Sequence, residues 1–196
     1  EIILGLPGDT KQRHYESLRF GLDNNVNSLR MHQAMLLIGT EMASKTARKE
    51  FGFVTKFRTI PGCVGRYDIY DKQHSVAEIE EIIVGSKTFS VEDYLDCRVM
   101  NLMIKTFYNN SMFEEVYAML RAMNVSPFDC LRYLKEHSEL YSDRIKEISA
   151  LARDLVYCVS KLGITGSAPA SLEGLRVYLA KVDKNSSCPF VVGFGI

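Results

Sequence analysis

No stretch of this chain approaches the ~18–20 uninterrupted apolar residues of a membrane-spanning helix. No basic segment precedes a long apolar one at the start, so a secretory signal is not expected either. Charge of one sign is also missing: 24 lysines and arginines face 24 aspartates and glutamates. That balance argues against partners held by broad electrostatic attraction, whether nucleic acid or an anionic membrane. Closely spaced cysteines are absent, since Cys63, Cys97, Cys130, Cys158 and Cys188 lie 34, 33, 28 and 30 positions apart. One loop cannot then offer two thiolates to zinc or an iron–sulfur cluster, and the chain is expected to hold no metal through them. An odd count in a chain with this much core points to buried, reduced thiols in a cytoplasmic protein. There is no initiating methionine, and the chain opens inside a strand-like run, which suggests a fragment.

What is present is ordinary globular composition, 46% apolar and 24% charged over 196 residues, enough for one large domain or two small ones. Ile2–Leu4 favours a strand, Gly5 to Asp9 a turn, and Asp9 or Thr10 can cap a helix in which Tyr15, Leu18 and Leu22 recur at helical spacing. Ser28 to Leu37 reads as a second strand, completing a strand–helix–strand unit of a parallel sheet. A helix follows from about Glu41 to Phe51, closed by Gly52. Phe53 to Tyr70 suggests an irregular or two-stranded stretch, and Val76 to Val84 leans to a strand.

After Ser90 the pattern turns helical. Val91, Tyr94, Leu95, Val99, Leu102 and Met103 keep a three-and-four spacing, Ser111 and Ser126-Pro127 can each start a helix, and Ile145 to Val159 is a longer amphipathic run closed by Gly163. The fold class expected is α/β, then all-α. Residues 1–86 form the α/β part and 87–163 a helical part. The tail, 164–196, is rich in small residues and is expected to be poorly structured or truncated, with room for one short helix at Ser171–Lys181.

The first ten residues, Glu-Ile-Ile-Leu-Gly-Leu-Pro-Gly-Asp-Thr, are the segment best suited to hold a ligand, because glycines after a strand let backbone approach closely. Neither familiar phosphate loop fits. A Walker loop needs Lys before Ser/Thr, whereas Lys11 follows Thr10, and a dinucleotide fingerprint needs a third glycine beyond Gly5 and Gly8. The segment resembles instead a late strand of a radical S-adenosylmethionine enzyme barrel, which reads Ile-Ile-x-Gly-Leu-Pro-Gly-Glu/Asp-Thr. Gln33 to Met42, reading Gln-Ala-Met-Leu-Leu-Ile-Gly-Thr-Glu-Met, is similar to the end of the next strand in that family. The helical remainder loosely resembles the extension of the subgroup with a cobalamin-binding domain.

That resemblance implies the last part of a (β/α) barrel with a helical extension. The parent enzyme would use S-adenosylmethionine, a 4Fe-4S cluster fed by a reductant, and in this subgroup cobalamin. It would cleave S-adenosylmethionine reductively and direct the radical at a small-molecule substrate, with methyl transfer as the leading outcome. The family's Cys-x-x-x-Cys-x-x-Cys loop does not occur here, so the chain alone is expected to be inactive. Ile3, Gly5, Leu6 and Pro7 would pack against the cofactor's adenine; in the bland alternative the glycines serve only the turn. Arg30 and His32 on one face of the second strand, and Gln33 on the other, are candidates for a substrate or cofactor pocket.

Other features have structural readings. His14, His74 and His137 fall at surface positions, Glu78, Glu80 and Glu81 form a solvated acidic face, and Met100, Met103, Met112, Met119 and Met123 form helical core. The rival to the enzyme reading is a non-catalytic helical interaction module.

Overall fold

In a computed structural model, residues 1–70, 72–143 and 146 are described. The helix expected from Ile145 to Val159, the one at Ser171–Lys181 and the domain boundary at 163 lie outside the described residues.

The opening strand–helix–strand unit is present. Strand β1 (Ile2–Leu4) leads through a glycine turn into helix α1 (Lys11–Asp23), and strand β2 (Met31–Gln33) lies parallel to β1 with Ile2 opposite Met31 and Leu4 opposite Gln33. Thr10 is the cap, its hydroxyl accepting from the Arg13 N–H at 3.2 Å. The Asp9 carboxylate closes the turn, accepting from the amides of Gly5 at 3.0 Å and Thr10 at 2.9 Å. Gly5 has φ +90°, and a Cβ there would stand 3.4 Å from the Ile83 carbonyl oxygen, so the turn requires glycine for conformation and for space.

The second strand is three residues long where ten were expected. Ala34 is the crossing point: its N–H donates to the Leu4 carbonyl of β1 at 2.8 Å while its carbonyl accepts from Ile83 N–H at 2.9 Å, and beyond it Leu36 N–H donates to the Glu81 carbonyl at 2.8 Å. The partner is a long antiparallel hairpin of strands β3 (Val54–Ile69) and β4 (Lys72–Gly85), so 53–70 holds one continuous strand instead of the irregular or two-stranded stretch expected, and 76–84 lies in a strand as expected. Its register shifts between Thr59 and Val64, at Pro61, which has no N–H to offer a ladder. The helix expected over 41–51 is broken at Ser44, whose extended backbone (ψ 153°) separates a short 3-10 turn from helix α2 (Lys45–Phe51). Gly52 ends α2 in the left-handed conformation.

Helix α3 (Val91–Met103) starts at a capping box of Ser90 and Asp93 and runs on into a π-helical turn, Ile104–Tyr108. Helix α4 (Glu114–Ala122) begins at Phe113 rather than at Ser111, which sits at φ +53° and caps nothing. Ser126 caps helix α5 (Pro127–Glu136), with Pro127 in the first turn, where its missing N–H costs no bond.

Leu4, Leu18, Leu22, Ile82, Cys97, Met100, Ile104 and Leu131 are fully buried in one cluster that joins β1, α1, β4, α3 and α5. Ile83 faces the other way, into a smaller cluster with Ala34 and Leu36, so β4 is covered on both faces at its end. The methionine expectation is corrected in part. Met100 and Met103 are core, but Met112, Met119 and Met123 are 55–69% exposed, because α4 packs through Tyr117 and leaves Met119 outward, with Met112 and Met123 just beyond its ends. Among the described residues no helix is long and apolar enough to cross a membrane.

Candidate functional site at the end of the parallel strands

Ligands of parallel α/β proteins gather where strands end at their carboxyl side. Here that edge is Leu4-Gly5 and Gln33. Gln33 faces inward, its amide oxygen accepting from Arg58 Nη1 and its Nε2 donating to the Tyr94 hydroxyl at 2.7 Å. Arg58 also pairs through Nε with Glu80, the residue directly across the hairpin. On the opposite face of β4, Glu81 receives both terminal nitrogens of Arg48 at 2.6 Å each and the Thr55 hydroxyl at 2.6 Å. The Arg48 hydrogen bonds hold Glu81 below the usual carboxylate range, against the opposing effect of burial. Glu80 and Glu81 are therefore paired struts, not a solvated acidic face, because the hairpin sets an arginine beside each.

Helix α3 presents Tyr94, Arg98 and Asn101 along one face, at spacings of four and three. Asn101 Oδ1 meets His14 Nε2 at 2.9 Å, and both residues are buried, at 1% and 2% exposure. His14 is thus an interior residue and not a surface one, since α1 turns it inward with Leu18 and Leu22. Burial lowers its pKa, with Arg98 adding and the Asn101 bond opposing, so the ring is neutral near pH 7. With Nε2 assigned as the donor, Nδ1 keeps a lone pair that no described residue uses, and Asn101 Nδ2 is likewise unpaired.

Arg98 follows Tyr94 by one turn of α3 and precedes Asn101 by three residues. Burial lowers its pKa; Tyr94 opposes that, and the charge of Arg58 reinforces it. The same two arginines act on Tyr94, whose hydroxyl burial pushes up. At this edge Gln33 therefore links the Arg58 guanidinium, paired with Glu80, to the Tyr94 hydroxyl, while His14 is held apart by Asn101 in the interior.

Of the residues singled out in the sequence, Gln33 reaches this cluster, while Arg30 and His32 point to solvent, His32 standing 3.7 Å from Glu1. Gly5 is buried in the turn, and Ile3, Leu6 and Pro7 are exposed around it. Arg58, Tyr94 and Arg98 were missed. An arginine four residues after Tyr94 on an apolar-spaced helix was the available signal. Among the described residues no group of three or more His, Cys, Asp or Glu side chains could hold a metal ion. Cys97 is buried, its thiol pushed up to about 12 chiefly by burial, so it is not a reactive thiolate.

The fold and site so far define a mixed α/β chain with a parallel strand–helix–strand unit and a polar edge. The family whose model matches is described as the tryptophan synthase alpha chain, over residues 137–196. Similar proteins carry the same description. The tryptophan synthase alpha chain of Petrotoga mobilis is 37% identical over 83 residues, covering 42% of this chain and 30% of the relative. That of Roseiflexus castenholzii is 44% identical over 54 residues (28% and 21%), and that of Geobacillus thermodenitrificans 45% over 53 residues (27% and 20%). The chain thus spans less than a third of the length of these relatives. The match begins at His137, so the described strands and α1–α5 lie before it.

These findings correct the radical S-adenosylmethionine expectation. The family model and the relatives that match all describe a different family, and S-adenosylmethionine, the 4Fe-4S cluster, its reductant, cobalamin, radical cleavage and methyl transfer fall with that expectation. The physical reason lies in the motifs. Gly5 and Gly8 have positive φ because a tight strand-to-helix turn demands it, and Leu37 to Thr40 form a turn after β2 rather than the end of a strand. Such turns recur wherever a strand feeds a helix, whatever the chemistry.

Proposed function

We propose that this chain is part of a tryptophan synthase alpha-type protein, a subunit of a barrel enzyme that takes part in making tryptophan from a small-molecule precursor beside a β chain. The observation that carries this reading is the family-model match over residues 137–196, together with relatives at 37–45% identity. The matched stretch contains Gly163, Gly166, Gly193 and Gly195, a residue type that suits close approach of backbone to a ligand. The parallel β1–α1–β2 unit agrees with a (β/α) barrel, whose substrates sit at the carboxyl ends of the strands.

Growth of a bacterium lacking its own alpha-chain gene, on medium without tryptophan, tests the reading with the full-length protein. Restored growth is expected. Failure to grow while the protein accumulates in folded form would overturn it.

A further inference from the structure

Hairpin β3–β4 reaches well beyond the layers that hold its base. Ile82, Ile83 and Val84 are buried, but no described residue from 60 to 79 is, and Arg66 to Tyr70 are all exposed. A two-stranded ribbon with no covering layer is marginal in water, and a further strand along an edge strengthens it. The two edges differ. β4 is already engaged at Glu81 and Ile83 by Leu36 and Ala34, and it carries Lys72 near the tip. β3 pairs with no strand but β4 among the described residues, so its outer edge is free.

Ile69 stands opposite Lys72 and closes the hairpin around Tyr70, at φ +49°. The pair flanking such a tight turn bonds inward, and antiparallel alternation then turns the backbone groups of Asp68 and Arg66 to the outer edge. The side chains of Arg66 and Asp68 share one face, and neither has an ion pair among the described residues. Tyr67 lies on the other face over Gly65, where a Cβ would come within 2.6 Å of its ring.

We propose that this edge pairs with the same edge of a second copy of the chain, antiparallel about a two-fold axis at Tyr67, so that Arg66 of each copy faces Asp68 of the other. This register satisfies charge and hydrogen bonding together. Both residues turn their backbone groups outward, so opposite one another they form a bonded pair whose side chains meet as an ion pair. Moving the axis to either neighbour sets Arg66 against Arg66 or Asp68 against Asp68, like charges directly opposite. The contact uses the same patch on both copies and closes at a dimer. The proposal does not rest on the tryptophan synthase match.

Sedimentation equilibrium of the whole chain, at concentrations up to about 100 μM, tests it. A monomer–dimer equilibrium is expected, in the weak class that a small edge contact belongs to. Asp68→Arg and, separately, Arg66→Asp should weaken dimerisation at least about tenfold, because like charges then face each other. The two substitutions combined reverse every pair and should restore the parent's dimerisation. Both positions are exposed, so circular dichroism should show every variant folded as the parent is. Met119→Lys, on the exposed side of α4, should dimerise as the parent does. A monomer at every concentration, open-ended aggregation, a dimer indifferent to Asp68→Arg, one lost in Met119→Lys, or no restoration by the double substitution would each overturn the proposal.

Discussion

Replacing Phe128 with alanine is expected to lower stability by about 4 kcal/mol, within the range for a large aromatic removed from a packed core. Phe128 is 1% exposed and meets the Tyr15 ring edge-on, with centroids 5.6 Å apart and planes at 75°. The Arg19 guanidinium lies over the same ring at 5.0 Å, and the same arginine grips Asp129 at 2.5 and 2.7 Å. The ring thus fills the space between α1 and α5, and its loss leaves a cavity and loosens an adjacent ion pair. In a chain of this size the melting temperature should fall by roughly 8–16 °C. Phe128→Leu, which keeps most of the volume, should cost far less. A fall of under a degree for Phe128→Ala would show that α5 does not pack on α1 as described.

Asp96→Asn is expected to cost about 3 kcal/mol, the scale of breaking a partly buried ion pair by removing one member. Asp96 on α3 receives Lys11 at 2.8 Å and the Tyr15 hydroxyl at 2.6 Å from α1, and Lys135 at 2.5 Å from α5. It is the electrostatic joint of three helices, and asparagine would leave Lys11 and the buried Lys135 facing a neutral group. Burial alone would raise the Asp96 pKa, but the hydrogen bonds from Lys11, Lys135 and Tyr15 outweigh it and hold the carboxyl at about 2. A carboxyl with a folded pKa below its unfolded value adds stability above the unfolded value, near pH 4. That stability is lost as pH falls toward 2. The shift corresponds to at most about 2 kcal/mol, reduced by solvent because the side chain is 31% exposed. Urea unfolding at several pH values should therefore show the gap between parent and Asp96→Asn narrowing from pH 4 to pH 2. A gap that stays constant would exclude this role for the carboxylate.

Local features were legible in the sequence where local physics decides them. Glycine and a capping residue marked the β1–α1 turn, Ser90 and Ser126-Pro127 marked the starts of α3 and α5, and a three-and-four spacing marked the buried face of α3. What escaped depended on distant partners. β2 ends after Gln33 because the Ala34 carbonyl and Leu36 N–H pair with Ile83 and Glu81 of β4, far along the chain. Arg58 meets Glu80 only through a register that shifts at the Pro61 region. Periodicity marked the methionines of α4 as one helical stripe but could not say that this stripe faces outward. His14 could have been placed inside, since it precedes Leu18 and Leu22 by four and eight residues on the same face. The family reading failed for another reason: ten-residue turn motifs encode backbone conformation, which many chemistries share.

The central claim, kinship in function with the tryptophan synthase alpha chains, is tested most directly by sedimentation velocity of this chain mixed with the tryptophan synthase β chain of Petrotoga mobilis. The account predicts a faster, saturable boundary that contains both proteins. Two independent boundaries at every ratio, with this chain folded, would contradict it.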